Sequence, residues 1–204
     1  MGMWGMPNYH SMYRVGFRPW ERYGAAAAAS ISAMLDREED ERDRPPGRAL
    51  DVGCGRGQYA PELARRGWDT VGIDHVAAAI DEARARAAGA GVRYVVGDVT
   101  DPPDGLGSFD FFLDIGRFQG FDDAQRRSAG RALTRLARPG ATLLQLSFGP
   151  SRWRRLVGGV SAEQVVDAFP AWQVVAVDAA TTDGLGWPMN RTRPLWHRLR
   201  LRPE

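Results

Sequence analysis

The chain has 204 residues, of which 44% are apolar and 25% charged, a balance that fits one globular domain and argues against global disorder. Its net charge of +2 is too small to indicate a nucleic-acid partner, and all 27 basic residues are Arg, which we interpret as a bias of composition. The single cysteine, Cys54, excludes an internal disulfide, and the three widely spaced His do not form a zinc-ligand pattern.

The N-terminal part combines an aromatic segment with an alanine-rich helix. Six aromatic residues lie within 1–23, and the alanines after them predict a helix over about 24–36. Basic residues followed by this alanine-rich run could be mistaken for a signal peptide. However, the segment upstream of the run is long and aromatic and contains Glu21. No apolar run approaches the roughly 20 residues of a membrane span. We therefore expect a cytoplasmic protein without membrane contact, divided into an N-terminal lid segment and helix, 1–47, and a main domain, 48–204.

From residue 48 onward, apolar strands alternate with amphipathic helices. The predicted strands are 48–52, 70–74, 92–96, 109–113, 141–148, 172–177 and 195–202. The predicted helices are about 58–66, 76–88, 122–137 and 161–169. This alternation predicts a parallel sheet with helices on both faces, and the last two strands, joined by a loop, imply one antiparallel strand. The final strand alternates apolar and basic residues, which is typical of an exposed edge.

A glycine-rich loop joins the first strand to the next helix. Its sequence is Gly53-Cys54-Gly55-Arg56-Gly57, and Asp74 follows at the end of the second strand, where a carboxylate can accept both hydroxyls of a ribose. A dinucleotide fingerprint would need glycine at position 58, which is Gln58, and a phosphate-binding loop would need a lysine. The pattern therefore favours a nucleoside with a small charged tail; the alternative is a tight turn followed by a helix-capping Asp.

Three short motifs resemble those of the class I S-adenosylmethionine-dependent methyltransferases. They are Ala-Leu-Asp-Val-Gly-Cys-Gly-Arg-Gly at 49–57, Val-Gly-Ile-Asp at 71–74 and Gly-Asp-Val at 97–99, and the resemblance covers roughly residues 48–150. It implies an α/β, Rossmann-like, seven-stranded and mostly parallel sheet in the order 3-2-1-4-5-7-6, with strand 7 antiparallel. It also implies S-adenosylmethionine as cofactor, S-adenosylhomocysteine as product, and no metal.

The same resemblance implies a role for each matching position. Gly53 and Gly55 would line the methionine part and the ribose, Asp74 would bind the ribose hydroxyls, and Asp114 would face the methionine amino group. The other residues of this predicted cofactor site are Asp51, Cys54, Ile115 and Trp20.

The adenine ring would lie beside the ends of the second and third strands. His75 would lie against its face, Asp98 would accept from its amino group, and the Val99 amide would donate to the ring. Simpler alternatives are that His75 only ends a strand and that Asp98 only forms a turn before Thr100.

The segment after the fourth strand indicates which class of molecule accepts the methyl group. Asp-Ile-Gly-Arg-Phe-Gln-Gly at 114–120 lacks the Asn-Pro-Pro pattern of enzymes that methylate nucleobase amines. It resembles the D-x-G-C-F-H-G stretch of a small-molecule branch with thiol, thiopurine and heterocycle acceptors, except that Arg117 and Gln119 replace Cys and His. Gln119 can orient a substrate and Arg117 can bind an acidic one, or both can simply satisfy loop backbone. The catalytic residue is therefore unknown, with these two as weak candidates.

These observations favour methyl transfer to an O, S or N atom of a small molecule, flat or apolar, by in-line displacement with catalysis mainly by positioning. The early aromatic segment is similar to the lid of that branch. The alternatives are an RNA or protein methyltransferase, or a cofactor-binding protein without transfer activity. Nucleic acid is not the expected partner, and we expect a monomer or homodimer. The predicted substrate-binding residues are Tyr13, Arg117, Phe118, Gln119 and Trp153.

Overall fold

The computed structural model describes residues 26–149, 159–185, 187 and 189–203. The strands are β1 (Arg48–Val52), β2 (Asp69–Asp74), β3 (Arg93–Val96), β4 (Phe109–Ile115), β5 (Ala137–Phe148), β6 (Trp172–Ala179) and β7 (Pro194–Leu201). The α-helices are α1 (Ala28–Asp40), α2 (Ala60–Arg65), α3 (Ala77–Arg86), α4 (Asp123–Leu136) and α5 (Ala162–Ala168). Short 3₁₀ turns lie at Phe118–Gly120 and Met189–Arg191.

The strands form one seven-stranded sheet in the order β3-β2-β1-β4-β5-β7-β6. The ladders from β3 to β5 are parallel, whereas β7 runs antiparallel to both β5 and β6. This confirms the predicted Rossmann-like order and its single reversed strand. It also brings the carboxyl ends of β1, β2 and β4 to one edge of the sheet, where open α/β sheets bind their ligands.

Apolar side chains cover both faces of the sheet because alternate strand residues point to opposite sides. We name the two sides by the helix that covers them, the α4 face and the α1 face. Core residues of the α4 face include Phe112, Leu133, Leu143, Val165 and Leu199. Core residues of the α1 face include Ile31, Leu35, Leu63, Leu144 and Trp196.

Two helices begin where their sequences provide reciprocal caps. Asp122 accepts from the amide of Gln125, whose side chain accepts from the Asp122 amide, and this starts α4. Ser161 and Gln164 form the same capping box at α5. Each box satisfies backbone donors that the first helical turn leaves unpaired. The helix starts predicted near 122 and 161 are confirmed.

Two predictions about local structure are wrong. The first helix extends to Asp40 instead of ending near 36, since i,i+4 ion pairs join Arg37 to Glu41 and Arg42 to Glu38 across its last turns. The final strand is not an exposed edge: β7 lies between β5 and β6, and β6 is the edge. Of the three arginines that suggested exposure, Arg200 and Arg202 are exposed, whereas Arg198 is buried because α1 supplies its counter-charge through Glu38.

Candidate functional site

The glycine loop bends sharply at the carboxyl end of β1. Gly53, Gly55 and Gly57 all have positive φ, at 70°, 51° and 73°, a region that side chains with a Cβ rarely adopt. The amides of Gly53 and Cys54 both donate to the Ile73 carbonyl, at 2.8 and 3.0 Å, which ties the loop to β2. The sequence therefore folds into a fixed backbone cradle at this edge.

Asp74 closes the cradle from the end of β2. Its Oδ2 accepts from the Gly55 amide at 3.0 Å and its Oδ1 accepts from the Val76 amide at 2.9 Å. Burial raises the pKa of Asp74, but hydrogen bonds from His75, Val76 and Gly55 outweigh burial and hold that pKa below its usual value. Each carboxylate oxygen can accept more than one hydrogen bond, so an ionised Asp74 retains capacity for the hydroxyls of a bound sugar.

Asp51 is a second carboxylate at this edge, one residue before the end of β1. Its side chain is 1% exposed, and its Oδ2 has no hydrogen-bond partner among the described residues. Burial raises the pKa of Asp51 to about 8, opposed by a hydrogen bond from the Ala60 amide and reinforced by the charges of Asp114 and Asp74. An orphaned buried carboxylate oxygen is costly unless a donor or a cation meets it.

Asp114 is the third carboxylate, in β4 beside Val52 of β1. Its Oδ1 accepts from the Arg117 amide at 2.8 Å and its Oδ2 from the Phe118 amide at 3.1 Å, so it holds the turn at Phe118–Gly120. Burial raises the pKa of Asp114 to about 7, although these two hydrogen bonds and the charge of Arg117 oppose the rise. Three neighbouring strands thus deliver three buried carboxylates around one glycine loop.

The predicted adenine contacts lie at the ends of β2 and β3. His75 is partly buried, and its Nδ1 lies 3.4 Å from Asp74 Oδ1. Asp98 is exposed, and its Oδ1 accepts from both the amide and the hydroxyl of Thr100 at 2.9 Å, which is the turn-forming role considered from the sequence. Val99 is buried. The adenine-binding roles of these residues stay predictions.

Some predicted site residues have side chains directed into the core. Cys54 packs with Ala60, Ile80 and Tyr94, so its contribution to ligand binding would come from its backbone. Phe118 is 1% exposed and its ring lies 5.6 Å from that of Phe169. Ile115 packs against the α1-face core. Their predicted ligand contacts stay predictions.

The two weak catalytic candidates both have structural contacts. The aliphatic part of Arg117 covers the glycine loop, since a Cβ at Gly53 would lie 2.8 Å from the Arg117 Cβ. The Arg117 guanidinium carbon lies 4.2 Å from the centre of the Phe121 ring. Asp114 contacts Arg117 through the backbone amide of Arg117, not through the guanidinium. Gln119 Oε1 accepts from the Phe148 amide at 2.9 Å, which joins the turn to the end of β5.

The predicted site also includes Trp20, Tyr13 and Trp153, which lie outside the described residues, as does the whole aromatic segment 1–23. The predicted boundary between 1–47 and 48–204 stays a prediction. The structure nonetheless shows α1 packed into the main core through Ile31 and Leu35.

Three buried polar residues on the α4 face were not predicted as site residues from the sequence. We call them the polar row: Gln145, Ser147 and His197. Gln145 is the register partner of both Asp114 and His197, so the row continues from the carboxylates across β5 to β7. The sequence did contain one indication of the polar row. Gln145 and Ser147 interrupt the apolar strand β5 two residues apart, and residues at that spacing lie on the same face of a sheet.

The described residues fit a cationic nucleoside. The cradle of positive-φ glycines admits a close backbone approach, Asp74 offers acceptors for sugar hydroxyls, and Asp51 offers an unpaired oxygen to a positive charge. Within the described part of the chain, no group of His, Cys, Asp and Glu residues could hold a metal ion. None of the helices described there is long and apolar enough to cross a membrane.

Comparison with known proteins gives the same family as the motifs. A family model described as a methyltransferase domain matches residues 49–140. A 23S rRNA (uracil(1939)-C(5))-methyltransferase of Alkalilimnicola ehrlichii is 31% identical over 174 residues, which cover 77% of this chain and 37% of that protein. A 2-heptyl-1-hydroxyquinolin-4(1H)-one methyltransferase of Mycobacteroides abscessus is 33% identical over 111 residues, covering 53% of this chain and 49% of that protein. The chain thus spans half or less of the length of these curated relatives.

A solved structure shares almost the whole fold. Burkholderia thailandensis 1,6-didemethyltoxoflavin-N1-methyltransferase, crystallised with 1,6-didemethyltoxoflavin and S-adenosylhomocysteine, superposes with a TM-score of 0.75 at 21% identity, covering 96% of this chain and 86% of that one. The strand order, the glycine loop and the matched family model lead to one conclusion. The chain carries a methyltransferase domain of the class I, S-adenosylmethionine-dependent family.

Proposed function

We propose that the protein transfers a methyl group from S-adenosylmethionine to an O, S or N atom of a small molecule. The observation that carries this proposal is the convergence of the buried carboxylates Asp51, Asp74 and Asp114 on the glycine loop, because a sulfonium nucleoside combines positive charge with sugar hydroxyls. Two similar proteins, from Mycobacteroides abscessus and Burkholderia thailandensis, carry the names of small organic acceptors, which supports a small-molecule acceptor here.

In this proposal the chain acts mainly by binding and orientation. S-adenosylmethionine supplies an already activated methyl group when bound. The glycine loop and Asp74 would fix the nucleoside, and Asp51 would offset positive charge inside the protein. Asp114 would hold the turn that borders the reaction site, where Arg117 covers Gly53. Holding two reactants in line can lower a barrier by several kcal/mol. A base is needed only where the acceptor must lose its proton before the methyl group is transferred, and the released proton then passes to that base or to solvent.

Binding and turnover can be measured separately on the full chain. We expect calorimetry to show binding of both S-adenosylmethionine and S-adenosylhomocysteine. We expect a panel of phenols, thiols and nitrogen heterocycles with methyl-labelled cofactor to give one or more labelled products. Binding without any labelled product would support a cofactor-binding protein that transfers no methyl group. Absence of binding to either nucleoside would contradict the whole proposal.

One observation favours a second candidate, an RNA methyltransferase: the Alkalilimnicola ehrlichii relative modifies 23S rRNA. The net charge of +2 weighs against it, because RNA binding relies on concentrated positive charge. RNA binding that weakens steeply as salt rises would support this candidate.

The cytoplasmic location and the monomeric or homodimeric state stay predictions.

A further inference from the structure

The side chains of the polar row are buried, and their polar atoms have no hydrogen-bond partner among the described residues. Gln145, Ser147 and His197 are each at most 1% exposed. Both amide atoms of Gln145, both ring nitrogens of His197 and Oγ of Ser147 lack a hydrogen-bond partner among the described residues. A buried polar group without a partner destabilises the folded state, because it has lost its hydrogen bonds to water. Three such side chains side by side therefore indicate that something outside this part of the chain pairs with them.

Strand register places the row next to the cofactor cradle. Gln145 is paired with Asp114 on β4 and with His197 on β7, and paired residues in neighbouring strands share a face of the sheet. Ser147 lies two residues farther toward the carboxyl end of β5, on the same face. The row therefore extends the site sideways from Asp114 on the α4 face.

The turn at Phe118–Gly120 connects the two regions. Asp114 holds the amides of Arg117 and Phe118, while Gln119 Oε1 accepts from the amide of Phe148, the residue after Ser147. One end of this turn is thus fixed to the carboxylates and the other to the end of the row. A molecule bound beneath the turn would contact both regions.

The chemistry of the row selects an uncharged ligand. Burial lowers the pKa of His197, so its imidazole is neutral near pH 7 and offers one donor and one acceptor. Gln145 likewise offers both, and Ser147 adds a hydroxyl. The nearest register neighbour with an ionisable acid is Asp114, which would repel an anion, and the cation of Arg117 is stacked on Phe121.

This inference rests on the proposed function. We propose that the polar row binds the methyl acceptor, recognising an uncharged ring edge that carries both a hydrogen-bond donor and a hydrogen-bond acceptor, such as a lactam or a ring N–H beside a carbonyl.

The test uses the full chain saturated with S-adenosylhomocysteine. Three probes of similar size are titrated by calorimetry: quinolin-2(1H)-one, a lactam whose N–H and carbonyl lie side by side, naphthalene, which neither donates nor accepts, and the anion quinoline-4-carboxylate. We expect the first to bind at least tenfold more tightly than the other two. Gln145→Leu and His197→Leu should each remove most of that preference, whereas Gln173→Leu, on the exposed edge strand, should keep it.

A second readout follows the His197 imidazole directly. Its ring ¹⁵N signals, assigned by their loss in the His197→Leu variant, should shift when quinolin-2(1H)-one is added. Unshifted signals, no preference among the probes, or no binding of quinolin-2(1H)-one by a complex that holds S-adenosylhomocysteine would each overturn this inference and leave the proposed function standing. Failure to bind S-adenosylhomocysteine at all would instead remove the proposed function and this inference with it.

Discussion

Arg198 and His197 are neighbours on β7, and both side chains are buried, but on opposite faces of the sheet and in opposite surroundings. On the α1 face, Arg198 Nε donates to Glu38 Oε2 at 2.7 Å and its Nη1 contacts Glu41. On the α4 face, His197 has no hydrogen-bond partner among the described residues. The buried guanidinium of Arg198 has carboxylate partners within the protein, because an unpaired buried charge strongly destabilises the folded state. A neutral polar group can remain open for a ligand at a smaller cost.

The paired cluster should dominate stability. Glu38 contacts Arg198 and Arg42, both nearly buried, so Glu38→Gln takes the carboxylate from Arg42 and leaves Arg198 with only Glu41. We expect the free energy of unfolding to fall by about 3–5 kcal/mol, measured by urea denaturation. Asp178→Asn is the matched control, since its pair with Arg37 is more than 40% exposed on both sides and should contribute less than about 1 kcal/mol. Equal small losses would mean that the buried cluster is not structural.

The cofactor cradle should dominate affinity rather than stability. Asp74→Ala removes the acceptors for the sugar hydroxyls, and two lost charge-assisted hydrogen bonds amount to about 3 kcal/mol, or roughly 100-fold in the dissociation constant of S-adenosylhomocysteine. Calorimetry measures this change. Asp81→Ala, on the exposed side of α3, is the control and should bind like the unmodified chain. Similar affinities for the two variants would contradict the role of Asp74.

The buried carboxylates should make cofactor binding depend on pH. Because burial raises the pKa of Asp51 to about 8 and of Asp114 to about 7, the folded protein holds protons that the unfolded chain, with a pKa near 3.8, releases. Stability of the ligand-free protein therefore falls as pH rises from about 4 toward 8.

The same ionisation favours a cationic ligand. From about pH 6 to about pH 8, the affinity for S-adenosylmethionine should rise several-fold relative to S-adenosylhomocysteine, which lacks the sulfonium charge. Calorimetry of both ligands across this range gives the ratio, and Asp114→Asn should flatten its slope. A ratio that does not change with pH in the unmodified chain would show that these carboxylates do not act on the sulfonium.

The smallest effect is expected at the polar row. Replacing His197 or Gln145 by Leu removes buried polar atoms that have no hydrogen-bond partner among the described residues, and a leucine of similar size fills the space. The free energy of unfolding should therefore change by less than about 1 kcal/mol or increase. Urea denaturation beside Glu38→Gln gives the comparison directly. A loss as large as that of Glu38→Gln would show that the polar row belongs to the fold and not to a ligand site.

Local patterns in the sequence were sufficient for the glycine loop, Asp74 and the strand order. Each depends on residues within one strand–loop–helix unit or on a family motif, and such units are short enough to be recognised along the chain. Although the strand order implied by the family motifs placed β7 between β5 and β6, the residue pattern of β7 alone predicted an exposed edge, since basic residues in a strand ordinarily face solvent. That pattern could not include the counter-charge, because Glu38 lies 160 positions from Arg198.

By itself, then, the sequence determined the α/β order, the cradle at Gly53–Gly57 and the acidic partner at the end of β2. The tertiary structure alone decided which polar residues are paired. Asp114, Gln145 and His197 come from three strands, and only the lateral register of the sheet brings them side by side. The physical reason is that backbone bends and caps depend on neighbours along the chain, whereas burial and hydrogen-bond pairing depend on neighbours in space.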